Sequence, residues 1–242
     1  MISSSSKIVI VGGSSGIGWG VAQAARELGA HLVLVGRSQA KLDAARAALA
    51  APETVETVAA DVTREDDVAR MFETVGAFDH LVVTRGVPPV TAPVEAFDMG
   101  AVRGFIETML VSSVTLTKHA HGKLRRDGSI IFTSGISKDR PPPSGGAVVA
   151  AVAGSFTYLA RALALELAPI RVNVVSPGWV DTPMWDELVG EAKTALWKQL
   201  AERLPAGRIA TPAEIAKAYL YLMDSTFTTG TTLHIDGGHA LI

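Results

Sequence analysis

The chain of 242 residues contains no cysteine, which excludes disulfides, thiolate metal sites and thiol nucleophiles together. Neither sign of charge dominates: Lys and Arg number 22 against 24 Asp and Glu, a formal net charge of −2. Such a balance offers no basic footprint for nucleic acid or an anionic membrane surface. The six histidines are scattered, and His119 and His121, two apart on a predicted helix, diverge, so no metal site is expected. Long apolar runs are also missing from this reading. The N-terminal stretch is too short for a signal peptide, and none approaches membrane-spanning length. The expectation is a cytoplasmic protein with no membrane partner, its serine-rich residues 1–6 disordered.

What is present is a hydrophobic share of 48%, ample for one large core. Strand and helix signals alternate nearly throughout. Strands are expected at 7–11, 31–35, 55–60, 80–84, 129–133, 170–175 and 231–235. Helices are expected at 16–28, 39–49, 64–75, 101–121 and 147–168, with two more before the last strand. Seven strands separated by helices imply an α/β fold of the Rossmann type: a doubly wound parallel sheet with helices on both faces. No linker, composition break or repeat divides it, so 1–242 reads as a single dinucleotide-binding domain.

Directly after the first strand stand Gly12, Gly13, Ser14, Ser15, Gly16, Ile17 and Gly18, opening a helix. Glycines in that context permit a tight turn and let backbone N–H groups approach a pyrophosphate at the helix N-terminus. With glycines at 12, 16 and 18 the loop resembles that of the short-chain dehydrogenase/reductase family. Asp61 and Val62 resemble that family's adenine-contacting pair, Thr84 and Gly86 occupy its NNAG turn, and Pro177, Gly178, Val180 and Thr182 resemble its nicotinamide-side loop. The segment from Thr229 to Gly238 resembles its closing stretch. The resemblance covers essentially the whole chain and implies a homodimer or homotetramer, with 184–206 as a substrate lid. Trp185 and Trp197 in that lid suggest an apolar small molecule. At the end of the second strand, where an NAD enzyme needs a carboxylate, stand Gly36, Arg37 and Ser38. Guanidinium and hydroxyl suit a 2′-phosphate, so NADP(H) is the expected cofactor.

The family's usual proton donor is a tyrosine, acidified by a lysine four residues on. Here Tyr158, Tyr219 and Tyr221 are followed at that spacing by Ala162, Met223 and Ser225, so no such pair exists. Anchored on the strand beginning at Arg171, the tyrosine position falls on Val149 and the lysine on Ala153. The serine position falls on Gly135 and the asparagine on Met109; Asn173 is the sole asparagine in the chain. Ser134, Lys138 and Arg85 are the candidate substitutes, with Ser137 on the same loop. Three functions follow. One is an NADP(H)-dependent oxidoreductase with an altered site, acting on an iminium or a conjugated acceptor. The second is a catalytically silent cofactor-binding sensor or partner subunit. The third is a hydrolase, since Gly12 to Gly16 also spells G-x-S-x-G, with Ser14 as nucleophile and His234 or His239 as base.

Overall fold

The structure is a computed structural model that describes residues 2–242. Its strands are β1 (Lys7–Val11), β2 (His31–Gly36), β3 (Val55–Ala59), β4 (Phe78–Val83), β5 (Leu124–Thr133), β6 (Arg171–Pro177) and β7 (Thr232–Ile235). They form one sheet in the order β3-β2-β1-β4-β5-β6-β7, every pairing parallel. The helices are α1 (Gly16–Glu27), α2 (Gln39–Leu49), α3 (Glu65–Val75), α4 (Met99–Ile106), α5 (Ser112–Ala120), α6 (Ala147–Glu166), α7 (Pro183–Val189), α8 (Lys193–Arg203) and α9 (Pro212–Asp224).

Alternation along each buried strand distributes its side chains between two cores. Ile8 and Ile10 face α1, α2 and α9, where Val21, Leu42, Ile215 and Tyr219 are buried. Val9 and Val11 face the other way, onto α3, α5 and α6 through Phe72, Leu116 and Phe156. The chain steps from β1 outward to β2 and β3, then returns to place β4 on the other flank of β1. The crevice beyond the carboxyl ends of β1 and β4 is therefore the topological switch point, where open α/β sheets bind ligands.

Four expectations need correction. The segment before β1 is ordered over residues 2–6: Ser6 N–H donates to Ser3 O at 3.0 Å, and Ile2 is buried with its N–H on Asp224. The apolar helix α6 does reach membrane-spanning length and composition, at 20 residues and mean hydropathy 1.7. Its residues Val152, Ala153, Phe156 and Ala160 are nonetheless buried within the protein, where it packs along β6. The fifth strand starts at Leu124, ahead of 129. Its register shifts against β4 between Phe78 and His80, and Gly128 lies close against Asp79 O there, which a Cβ would approach to 2.1 Å. The long helix expected at 101–121 is divided by a π turn, Glu107–Val111. The residue that supports this turn, Arg85, lies far upstream in sequence.

Candidate active site

The glycine turn is built by close approach. Gly12 has φ +87, and its N–H donates to Val35 O at 2.8 Å; a Cβ there would sit 2.8 Å from the Arg85 nitrogen. Gly18, in the first turn of α1, is more constrained still. A Cβ at 18 would lie 2.2 Å from Gly12 O and 2.4 Å from Thr84 Oγ1, so loop and helix interlock only through glycine. Thr84 secures the neighbouring turn, its N–H and Oγ1 both donating to Val11 O, at 2.9 and 3.0 Å. The first turn of α1 holds no acidic residue, and its N-cap Ser15 makes no side-chain cap bond. The positive end of the helix is thus open to an anion.

Across the crevice, Gly178 N–H donates to Ile235 O at 3.0 Å, and a Cβ at 178 would lie 2.7 Å from Asp236. The buried Val180 bridges to Ala210, and Thr182 caps α7 ahead of Pro183. The Thr182 methyl carbon lies 3.4 Å from where a Cβ on Gly16 would stand, so the two loops meet. At the β2 end, Ser14 Oγ is 3.9 Å from the Cβ position of Gly36. Ser38 caps α2 by accepting from Lys41 N–H at 3.3 Å, which leaves its own hydroxyl proton to donate. Arg37 is exposed and close enough to Asp61 to help lower its pKa, though the larger cause is the Thr63 hydroxyl, bonded to Asp61 Oδ1 at 2.8 Å. Val62 is buried in the core beneath Asp61, and Ile17 is half-buried on α1. Every cofactor position expected from sequence therefore lies along one edge of the sheet.

Each of the substitute candidates is engaged in hydrogen bonds of its own. Arg85 turns away into the π turn, Nε donating to Thr108 O at 2.7 Å and Nη2 to Met109 O at 2.8 Å. Nη2 also contacts Ser112 Oγ and, at 3.1 Å, Ser113 Oγ, while Nη1 is buried without a partner. Burial pulls its pKa down to about 10, still charged at neutral pH. A π turn leaves carbonyls without their usual helical donors, and a guanidinium fork supplies them. Lys138 points toward β7, its ammonium on Asp139 and on His234 Nε2 at 2.7 Å. Ser134 Oγ donates to Ala153 O at 2.7 Å and so ties the β5 end to α6. At the positions aligned with the missing machinery, Val149 and Met109 pack with Val87, Val90, Ile106 and Val148 against the core, and Ala153 is buried.

Sequence reasoning missed the grip of Arg85 on the π turn and the triad Lys138–Asp139–His234, in which Asp139 Oδ2 lies 3.1 Å from His234 Nε2. Trp179, Trp185 and Trp197 pack together in tilted and edge-on pairs with centroids 4.8–6.0 Å apart, and His239 stacks on Trp179 at 6.2 Å. Lys193, at the start of α8, bonds Asp181 at 2.6 Å and Asp186 at 2.7 Å and so ties α8 to α7 and the loop before it. Met184 of α7 brings its Sδ to 3.5 Å from the Cβ position of Gly86, over the Thr84–Gly86 turn. The hydrolase reading falls here. β7 lies four strands from β1, about 19 Å by strand spacing. His234 is held there by Lys138 and Asp139, and His239 lies beyond it against Trp179. No cluster of three metal-ligating side chains occurs among the described residues.

Residues 11–240 match the family model described as Enoyl-(Acyl carrier protein) reductase. The chain belongs to the short-chain dehydrogenase/reductase family. An L-fucose dehydrogenase of Bos taurus is 36% identical over 249 residues, covering 97% of this chain and 89% of the relative. Among solved structures, the MalC Reductase/Diels-Alderase of Malbranchea aurantiaca superposes with a TM-score of 0.91 at 28% identity, covering 98% and 97% of the two chains. A short chain oxidoreductase of Pseudomonas aeruginosa PAO1, bound to NADPH and described as containing an atypical catalytic center, gives a TM-score of 0.88 at 27% identity over 98% and 97%. Membership of this oxidoreductase family accounts for the interlocked glycine turn and the loop from Pro177 to Thr182.

Proposed function

We propose that this chain is an NADP(H)-dependent reductase of small apolar molecules whose reducible bond arrives already activated, an iminium ion in the first instance. The observation that carries this reading is the apolar wall of Val149, Met109 and Ala153, packed against the core where the family's tyrosine, asparagine and lysine would stand. Hydride addition to a plain ketone leaves an alkoxide, and a positioned acid speeds that protonation typically by about 10²–10⁴-fold. Hydride addition to an iminium leaves a neutral amine and needs no acid.

The residues on the sheet edge fit NADP(H). The turn at Gly12, Gly16 and Gly18 leaves backbone room for a pyrophosphate, and the acid-free N-terminus of α1 favours its charge. Ser14, Arg37 and Ser38 surround the place where an adenosine 2′-phosphate would sit, and Gly36 keeps a carboxylate away from it. Asp61 and Val62 would hold the adenine end, and Thr84, Gly86 and the Pro177–Thr182 loop the nicotinamide end. When bound, NADPH supplies the hydride. The segment 184–206, fastened by Lys193, would serve as the lid over this end of the crevice, limiting water once cofactor and substrate are bound.

The exposed face of α6 supports a homo-oligomer. Ala147, Ala151, Tyr158, Ala162 and Leu165 run down it in one stripe, Tyr158 71% and Leu165 84% exposed. A second reading, a cofactor-binding protein without turnover, is favoured by one observation: Arg85, Lys138 and Ser134 all have other hydrogen-bond duties. Fluorescence titration with NADPH, followed by assays on a panel of cyclic imines, enones and ketones, separates the readings. Tight NADPH binding with turnover of imines supports the reductase; tight binding without turnover of any substrate supports the silent protein.

A further inference from the structure

The loop leaving β5 contains a glycine with no backbone reason to be one. Gly135 has φ −169 and ψ 161, an extended conformation open to any residue. A Cβ built on it would meet a single atom within 4 Å, Ser137 Oγ at 3.9 Å. The absent side chain therefore opens a space at the end of β5, and the hydroxyl bordering that space belongs to Ser137. This residue lies in the short 3₁₀ turn Ile136–Lys138, half-buried, and its hydroxyl makes no hydrogen bond within the protein. Other polar side chains at this end of the sheet are engaged. Ser134 Oγ donates to Ala153 O at 2.7 Å, Lys138 binds Asp139 and His234, and Thr84 Oγ1 donates to Val11 O. A hydroxyl offers one donor and two lone pairs, and at Ser137 all three are unused by the described residues.

We propose that Ser137 is the substrate-contacting hydroxyl of this site, its Oγ accepting the N–H of a protonated cyclic imine whose ring fills the space left by Gly135. The inference rests on the reading of this crevice as a reductase site, and it names the group that orients the substrate there. The iminium carbon takes the hydride, the π pair moves to nitrogen, and the cation becomes a neutral amine that keeps its N–H. Ser137 transfers no proton; it holds the nitrogen end so that the carbon faces the nicotinamide side of the crevice. A hydroxyl oxygen is enough for this, because the charge is on the substrate and a hydrogen bond to a charged group is among the stronger kinds.

The test uses 2-methyl-1-pyrroline near its own pKa, with two readouts: its affinity for the NADP⁺ complex by calorimetry, and its turnover with NADPH. Ser137→Ala, which removes no internal hydrogen bond, is expected to weaken imine binding and raise KM about tenfold, with NADPH affinity unchanged. Ser137→Thr restores the hydroxyl and recovers most of the loss. Gly135→Val, compatible with the extended backbone, fills the space and blocks the imine while NADPH still binds. Wild-type imine affinity in Ser137→Ala, or no imine binding by the wild-type complex, overturns the proposal. Weakened binding in Ser137→Ala without turnover by any form leaves Ser137 as the contact and overturns the reductase reading instead.

Discussion

Replacing Arg85 with alanine distinguishes a structural pin from a reacting group. The substitution removes the bonds from Nε to Thr108 O at 2.7 Å and from Nη2 to Met109 O at 2.8 Å, with the contacts to Ser112 and Ser113. Neither carbonyl is left bare. Ser112 Oγ still donates to Thr108 O at 2.5 Å and Ser113 Oγ to Met109 O at 2.7 Å. The protein also recovers the cost of burying a guanidinium whose pKa burial has drawn down to about 10. Charge-assisted bonds lost, less that relief, leave a net destabilisation of about 2 kcal/mol. For a domain of this size that lowers Tm by about 4–8 °C, readable by circular dichroism melts. Arg85→Lys recovers little, because a point charge cannot bridge two carbonyls. The double variant with Ser112→Ala departs from additivity by at least about 0.5 kcal/mol, since the two side chains share Thr108 O. An unchanged Tm together with lost imine turnover would refute the pin and make Arg85 a substrate contact.

Three further outcomes are expected. Arg37→Asp reverses a preference for NADPH over NADH of at least about tenfold, because one charge-assisted hydrogen bond separates the two cofactors; equal affinities in the wild type would contradict it. Light scattering at micromolar concentration shows a dimer or larger, and Leu165→Glu, on the exposed stripe of α6, shifts it toward monomer; a monomeric wild type is the contrary result. Glu214 binds Arg208 and the Thr211 N–H at the start of α9, which holds its pKa at about 2, below its ordinary 4.5. With the folded pKa depressed, the stabilisation is present above pH 4.5 and lost as pH falls through 2. Glu214→Gln should therefore melt below wild type at pH 7 and converge with it in acid, whereas a constant gap would refute the linkage.

The sheet was legible because each strand is an apolar run bounded by turn residues and each helix carries a 3.6-residue pattern. The glycine turn was legible because interlocked glycines leave a mark in sequence: Gly12 and Gly18 are required by contacts to Arg85 and to Gly12 O itself. The break at Glu107–Val111 was not, because its cause is Arg85, 23 positions from the carbonyl at Thr108. The engagement of Lys138, a candidate catalytic residue by sequence, was hidden for a similar reason; its partner His234 lies 96 residues downstream, and the β5-β6-β7 order brings them together. The helix at 147–168 was read by its pattern alone, so its spanning length and its burial against β6 emerged only in three dimensions. Ser137 had a weak signal, a serine two residues past a glycine at the aligned serine position. Its unused hydroxyl is a fact of the fold.

The central claim is that this site delivers hydride where no proton need follow. The most direct measurement is the pH dependence of kcat/KM for 2-methyl-1-pyrroline and for cyclohexanone, each with saturating NADPH. With the wall of Val149, Met109 and Ala153 offering no acid, the imine rate should follow the protonated fraction of the substrate. Cyclohexanone should show no measurable turnover at any pH. Brisk reduction of cyclohexanone, with a bell-shaped profile reporting an enzyme acid and base, would contradict the account.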